Sequence, residues 1–210
     1  MKILVYAGLN TGVSFGRIYR QFDYCYGFEA QPNLAEQLNK KYSNTNNVKI
    51  INAAVCEDNN PKPFYITDNT HGQSSSLGKI STPFNQHRGA ASINVSCEIE
   101  VPGLYLPDYL RDNNISEIHT YISDIQGYDF TVLKTLDDYI QHKKIKNIQI
   151  ECDCDYFKHN SYDLEHSNKE SEIINYLSNK YTLVKKQDGN YNPNSTTRWV
   201  HRDLYFEAKI

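Results

Sequence analysis

Two glycines and an acidic residue near the start of the chain are placed as the binding of a nucleoside would require. Gly8 and Gly12 flank Asn10 in a turn that follows a short apolar segment. Glycine has no Cβ, so the backbone at such positions can approach a ligand closely. Glu29 ends the next predicted strand, where a carboxylate can accept hydrogen bonds from two ribose hydroxyls. The pattern predicts a nucleoside-containing cofactor; a bare tight turn and a solvated glutamate are the alternatives.

A second group of acidic residues stands at the ends of two later predicted strands. Asp124 follows the strand predicted over 118–123, and Glu151 and Asp153 alternate at the end of the strand predicted over 145–151. A carboxylate there can take a proton from a substrate hydroxyl, and a cluster of them suits a hard cation. We therefore predict Asp124 as a catalytic residue, and Asp124, Glu151 and Asp153 as ligands of Mg²⁺ or Mn²⁺. A helix cap at Asp124 and an exposed acidic loop after residue 151 are the alternatives.

A polar stretch in the middle of the chain offers further candidates. Residues 57–103 carry no helical period and are predicted to be a β-hairpin insertion with a long loop, its strands at 64–67 and 93–101. Long loops in compact domains are usually functional or disordered. His71 is a second candidate base, and the hydroxyls of Ser75 and Ser76 are candidates for binding substrate. A polar surface loop explains these residues equally well.

The elements that must position these residues alternate between strand and helix. Such alternation predicts a mostly parallel sheet with helices on both faces and an antiparallel pair at its edge. The strands are predicted over 3–6, 24–29, 48–55, 118–123, 145–151, 181–185 and 199–206. The helices are predicted over 15–22, 32–42, 106–113, 128–136 and 170–180.

Composition narrows the class of protein. The length of 210 residues fits a single domain over 1–210, and the formal net charge of −3 gives no basic footprint for nucleic acid. No apolar run approaches the roughly 20 residues of a membrane span, and the amino terminus is a poor signal peptide. Five cysteines, an odd number, are most simply reduced thiols. We expect a cytoplasmic protein that does not bind nucleic acid or cross a membrane.

Five segments occur in the order seen in FkbM-family methyltransferases. They are YGFEAQPNLAEQL, VKIINAAVCEDNN, SSSL, YISDIQGYDFTVLKTL and IQIEC, and the resemblance covers about residues 2–151. The family shows an F-E-P strand end, where this chain has Ala30 and Gln31 before the proline. It also shows a D-x-E-G-x-E helix start, where this chain has Gln126 and Asp129 in place of the second and third acids.

The resemblance implies a Rossmann-like class I methyltransferase fold with S-adenosylmethionine as methyl donor. It implies that Gly8, Asn10 and Gly12 line the methionine moiety, Glu29 holds the ribose, and Asn52, Ala53 and Ala54 border the adenine. The implied activity is O-methylation of a hydroxyl on a carbohydrate or glycoconjugate, with a small-molecule or glycan acceptor. The absence of helices before the first strand suggests the methyltransferase domain of a longer, multidomain viral glycan-synthesis protein.

Two other functions remain open. A nicotinamide-dependent oxidoreductase could use the same acid at Glu29, although the full G-x-G-x-x-G fingerprint of dinucleotide binding is missing. A non-catalytic Rossmann-like binding module would need the cofactor site but no base. Tight binding of S-adenosylhomocysteine argues against the first alternative, and turnover with any hydroxyl acceptor argues against the second.

Overall fold

The computed structural model describes residues 1–188 and 200–210. Its strands are β1 (Ile3–Ala7), β2 (Tyr24–Glu29), β3 (Val48–Asn52), β4 (Ala54–Cys56), β5 (Lys62–Thr67), β6 (Lys79–Ile80), β7 (Val95–Val101), β8 (Gly103–Tyr105), β9 (Ile118–Ser123), β10 (Ile145–Asp153), β11 (Tyr162–Asp163), β12 (Tyr181–Asp188) and β13 (His201–Ala208). Its α-helices are α1 (Val13–Ile18), α2 (Pro32–Tyr42), α3 (Thr82–Arg88), α4 (Leu106–Asp112), α5 (Asp129–Thr135), α6 (Asp137–Gln141) and α7 (Glu170–Leu177).

A seven-stranded sheet in the order β12-β13-β10-β9-β1-β2-β3 forms the centre of the fold. The pairs of β1 with β2 and β9, of β2 with β3, and of β9 with β10 are parallel. β13 runs antiparallel to both β10 and β12. The strand order reverses between β1 and β9, and ligands in open α/β sheets bind beyond the carboxyl ends of the strands at such a point. The predicted mostly parallel sheet with an antiparallel edge is confirmed.

Both faces of the sheet are covered, as the burial of every residue of the central strand β1 shows. In β1, Ile3, Val5 and Ala7 belong to one core cluster, which includes apolar residues of α4, α5 and α7. Leu4 and Tyr6, which point to the opposite face, pack in a second cluster with residues of α1 and α2. Side chains alternate between the two faces along a strand, so the fully buried β1 shows that helices lie on both sides.

The strand predicted over 48–55 is interrupted at Ala53, and its two halves join different sheets. The Ala53 N–H donates to the carbonyl oxygen of Glu29 at 3.1 Å, and the Asn52 amide donates to the carbonyls of Glu29 and Ala30. The first bond is the last of the β2–β3 ladder, and the Asn52 amide occupies the Ala30 carbonyl just beyond it. β4 then pairs in parallel with β8, a long-range contact that no local pattern in the sequence reveals.

The insertion contains the predicted hairpin and also a helix that was not predicted. β5 and β7 pair antiparallel, as expected. Within the stretch read as a polar loop, α3 begins after Ser81, whose Oγ accepts a hydrogen bond from the Phe84 N–H at 3.2 Å. A serine cap with a proline in the first turn is a standard helix start, so the absence of a helical period was misleading.

Other boundaries differ in smaller ways. α1 begins at Val13, two residues before the predicted start, and gives way to a 3₁₀ turn over Tyr19–Gln21. α6 follows α5 directly and was not predicted. β13 is found at His201–Ala208, and Trp199, where the prediction began this strand, lies outside the described residues. In the described part of the chain, none of the helices has the length and apolarity to cross a membrane.

Candidate active site

A cavity of about 570 Å³ opens at the carboxyl ends of β1, β2 and β9, where the strand order reverses. Pockets for small molecules in proteins commonly range from about 300 to 1,000 Å³. The loops after these strands form one wall, and residues of the insertion form another. Of the residues predicted from the sequence, the cavity is lined by Gly8, Asn10, Glu29, Ala53, Ala54, Ser75, Asp124 and Glu151.

Gly8 lets the loop after β1 pass close to the loop after β9. Its φ is +85°, and a Cβ there would lie 1.9 Å from the carbonyl oxygen of Asp124. The Asp124 N–H in turn donates to the Ala7 carbonyl at 3.1 Å. Any side chain at position 8 would push these loops apart, so this glycine is required for the shape of the cavity floor.

Glu29 holds the loop after β1 in place through a hydrogen bond to Asn10. Its side chain is buried, and its two oxygens accept hydrogen bonds from the N–H groups of Asn10 at 2.6 Å and Gln31 at 2.8 Å. Burial raises the pKa of Glu29, although these backbone hydrogen bonds oppose the shift. The backbone N–H of Ala30 is a further partner of this carboxylate, and a carboxylate has about four lone-pair sites, so its remaining capacity can serve a ligand in the cavity.

Asp124 and Glu151 form a carboxylate pair that is joined by one amide. The Nε2 of Gln126 donates to Asp124 Oδ1 at 2.6 Å and to Glu151 Oε2 at 2.8 Å. The Oε1 of Gln126 accepts a short hydrogen bond from the hydroxyl of the buried Tyr162. Asp124 is open to the cavity, but protein atoms surround it and limited hydration raises its pKa. Burial and the Asp124 charge raise the pKa of Glu151 as well.

The loop that carries Gln126 is held by buried side chains. Gln126 has a positive φ of 56°, a conformation that costs energy for a non-glycine residue and needs support from its surroundings. Its carbonyl accepts from Ser76 Oγ at 2.6 Å. The buried Asp129 accepts from Ser123 Oγ at 2.6 Å and from the N–H groups of Ile125 and Gly127. These contacts fix the direction in which the Gln126 amide points.

Asp153 is not part of this carboxylate pair, which corrects the predicted set of metal ligands. β10 continues through Asp153, which pairs with His201 of β13 instead of lying in a loop. Its carboxylate contacts Ser161 Oγ at 2.5 Å, His201 Nε2 at 3.3 Å and Lys169 Nζ at 3.7 Å. Burial opposes ionisation, but these partners lower the pKa of Asp153 overall. Across residues 1–188 and 200–210, no three His, Cys, Asp or Glu side chains converge as a metal site.

Four other predicted residues support the cavity without lining it. His71 is exposed, and its carbonyl oxygen accepts from the Asn10 side chain at 3.0 Å; its ring is not part of the cavity wall. Gly12 faces Leu38, where a Cβ would approach to 2.4 Å. Asn52 holds the end of β2, and Ser76 supports the loop after β9.

Some lining residues have no signal in the sequence. Arg17, at the end of α1, and Arg88, at the end of α3, both line the cavity. His201 reaches it from β13, which is distant in sequence from the other lining residues. Gln126 was recognised only as a departure from an expected acid, and its bridging role depends on Glu151 and Tyr162, which are far away along the chain.

Comparisons with known proteins agree with this geometry. A family model described as "Methyltransferase FkbM domain" matches residues 10–189. Among solved structures, an rRNA methylase from Streptococcus thermophilus is 12% identical with a TM-score of 0.50, covering 99% of this chain and 86% of its own. The N-methyltransferase NodS from Bradyrhizobium japonicum WM9 is 8% identical with a TM-score of 0.51, covering 100% and 86%. The search of curated proteins found no match. The structural likeness shows the fold, which is the Rossmann-like α/β fold of class I methyltransferases.

Proposed function

The chain belongs to the FkbM family of S-adenosylmethionine-dependent methyltransferases, and we propose that it methylates a hydroxyl oxygen of a carbohydrate or glycoconjugate. One observation carries this proposal. Glu29, at the end of β2, and Asp124, after β9, line the same cavity on either side of β1. Glu29 can accept a hydrogen bond from the ribose of the donor, and Asp124 can take the proton of the acceptor hydroxyl. Family membership also favours a transferase over a nicotinamide-dependent oxidoreductase.

The donor set on the β1–β3 side of the cavity has the chemistry that S-adenosylmethionine needs. Glu29 retains capacity to accept a hydrogen bond from the ribose, and the small apolar Ala53 and Ala54 leave room for a flat adenine ring. Asn10 lines the loop after β1. Arg17 provides a cation for the carboxylate of the methionine moiety. We assign these residues to the donor.

The role assigned to Asp124 is to accept the proton of the acceptor hydroxyl. When bound, the donor supplies a methyl group whose bond to sulfur breaks as the acceptor oxygen bonds to the methyl carbon, the electron pair staying on sulfur. A sugar hydroxyl is a weak nucleophile until its proton moves to a base. The raised pKa of Asp124 makes its carboxylate a stronger base than a solvated aspartate. Gln126 keeps that carboxylate directed into the cavity.

Glu151 supports this assignment through its position beside Asp124. Two nearby carboxylates do not both ionise readily, and the pKa of Glu151 is raised well above its usual value by burial and by Asp124. Glu151 therefore holds a proton more firmly, which leaves Asp124 as the base. The Gln126 amide, a donor to both, keeps the two carboxyl groups in fixed positions.

Thermal unfolding with S-adenosylhomocysteine tests the donor site. At a ligand concentration of about 100 times Kd, binding stabilises the fold by about 2.7 kcal/mol, which raises Tm by roughly 5 to 11 °C for a domain of this size. No shift at millimolar ligand, in protein shown to be folded, contradicts the donor assignment.

A screen of acceptors with S-adenosylmethionine then tests the acceptor class. The set contains neutral sugars, acidic sugars, amino sugars and a ribosomal RNA fragment. We expect methylation on an oxygen of a sugar. Methylation on nitrogen or on RNA would contradict it, and bound donor without turnover on any acceptor would favour the non-catalytic module.

A further inference from the structure

Arg88 is a cationic side chain of the insertion that lines the cavity. Arg88 lies at the end of α3 and is half-buried. Its Nε donates to the carbonyl oxygen of Ala91 at 2.8 Å, and its guanidinium carbon lies 5.5 Å from the centroid of the Phe84 ring. These contacts hold the side chain in place, and among residues 1–188 and 200–210 no hydrogen bond is found at its two terminal nitrogens.

In the part of the chain that the structure describes, those terminal nitrogens have no acidic partner. Within residues 1–188 and 200–210, the ion pairs of arginine involve Arg111 and Arg202 with neighbouring aspartates and glutamates, and Arg88 makes none. Partial burial lowers the pKa of Arg88, and no neighbouring carboxylate opposes that shift. A half-buried guanidinium without a counter-charge costs energy, which a bound anion offsets.

A stack of rings separates Arg88 from the catalytic carboxylates. The ring of Phe84, which lies under the guanidinium, stacks on His201 with 5.2 Å between the ring centroids. His201 in turn stacks on Tyr162, with 6.4 Å between the centroids and 10° between the ring planes. The hydroxyl of Tyr162 donates to Gln126, which in turn holds Asp124. Phe84 and His201, which both line the cavity, therefore lie between Arg88 and Asp124.

We propose that Arg88 binds an anionic oxygen group of the acceptor, a carboxylate or a phosphate, while the hydroxyl to be methylated lies at Asp124. This inference rests on the proposed function and names its substrate class as an acidic sugar. Guanidinium binds carboxylate and phosphate through paired, charge-assisted hydrogen bonds. The donor carboxylate has its own cation in Arg17, beside the loop after β1, so Arg88 is left for the acceptor.

Titration of the protein with glucose, glucuronate and glucose 1-phosphate, each with and without saturating S-adenosylhomocysteine, tests this inference. We expect at least one acidic sugar to bind about tenfold to a hundredfold more tightly than glucose, the range of charge-assisted hydrogen bonds. Preference for glucuronate assigns a carboxylate, and preference for glucose 1-phosphate assigns a phosphate. Arg88→Gln should abolish the preference, and Arg88→Lys should retain part of it. The control Arg20→Gln removes an exposed arginine that lies on Tyr19 outside the cavity and should change nothing.

Several results would overturn the inference. Equal or unmeasurable binding of all three sugars would do so, as would a preference that survives in Arg88→Gln. Weaker binding of S-adenosylhomocysteine to Arg88→Gln would assign the residue to the donor instead. Failure of the proposed function is a separate result, because the unmodified protein would then not bind S-adenosylhomocysteine. The sugar titrations without that ligand do not depend on this result.

Discussion

Replacing Gln126 with Met removes the amide that joins Asp124 to Glu151 but keeps the length of the side chain. The amide donates at 2.6 Å to Asp124 and at 2.8 Å to Glu151, and its oxygen accepts from Tyr162. Hydrogen bonds to charged groups contribute about 1.5 to 3 kcal/mol each. Water in the cavity can replace part of the contact with the ionised Asp124, so that bond contributes about 1.5 kcal/mol, and the bond to the protonated Glu151 contributes about 1 kcal/mol, as for a neutral pair. The expected loss is roughly 2.5 kcal/mol, or a fall in Tm of roughly 5 to 10 °C.

The same substitution should also change the pH dependence of turnover. The amide stabilises the ionised form of Asp124, and its loss raises the pKa of that carboxyl. A loss of about 1.4 kcal/mol moves the acid limb of the kcat/KM profile upward by roughly one pH unit. A side chain with a purely structural role would lower Tm without moving this limb.

Thermal unfolding and kcat/KM from about pH 5 to 9 measure both effects. The matched control is Gln141→Met, because Gln141 donates to Asp137 at 3.1 Å on the exposed surface of α6. Surface changes of this kind usually alter stability by less than about 0.5 kcal/mol. If Gln126→Met unfolds like the control and keeps the original acid limb, the amide does not organise the carboxylate pair.

Three further predictions follow from the same contacts. Glu29→Gln should weaken binding of S-adenosylhomocysteine about tenfold or more by calorimetry, because an amide cannot accept from both Asn10 and Gln31; unchanged affinity would contradict the ribose assignment. Burial and Asp124 raise the pKa of Asp129 to about 7, so its contribution to the free energy of unfolding is fully present below its unfolded pKa of about 4 and is lost as pH rises to about 7. Denaturation of Asp129→Asn should lack this pH dependence of stability, and the same dependence in both proteins would contradict the prediction. A chelator should leave turnover unchanged, since the Gln126 amide bridges Asp124 and Glu151; loss of turnover that Mg²⁺ restores would show that these carboxylates hold a metal ion.

The sequence predicts the elements that are stabilised by their own local pattern. β2, α2 and β9 begin and end at the predicted residues, because each combines a continuous apolar stripe with clear boundary residues. α2, for example, starts at Pro32 and buries Ala35 and Leu38. The family resemblance is confirmed, since it rests on several segments in a fixed order and not on one motif.

Features that depend on distant partners could not be predicted in this way. The break between β3 and β4 depends on the pairing of β4 with β8, and the position of Asp153 depends on pairing with His201. Neither contact can be predicted from the residues of one strand alone. The Gln126 bridge is similar, because nothing near position 126 indicates that Glu151 and Tyr162 will lie beside it.

Methyl transfer by Asp124→Asn, compared with the unmodified protein on the same acceptor, shows whether Asp124 is the base. Asparagine keeps the size of the side chain, but it cannot accept the hydroxyl proton efficiently. We expect oxygen methylation by the unmodified protein and a rate about 10² to 10⁴ lower for the variant, with equal affinity for S-adenosylhomocysteine. A variant that transfers methyl as fast as the unmodified protein would show that Asp124 is not the base.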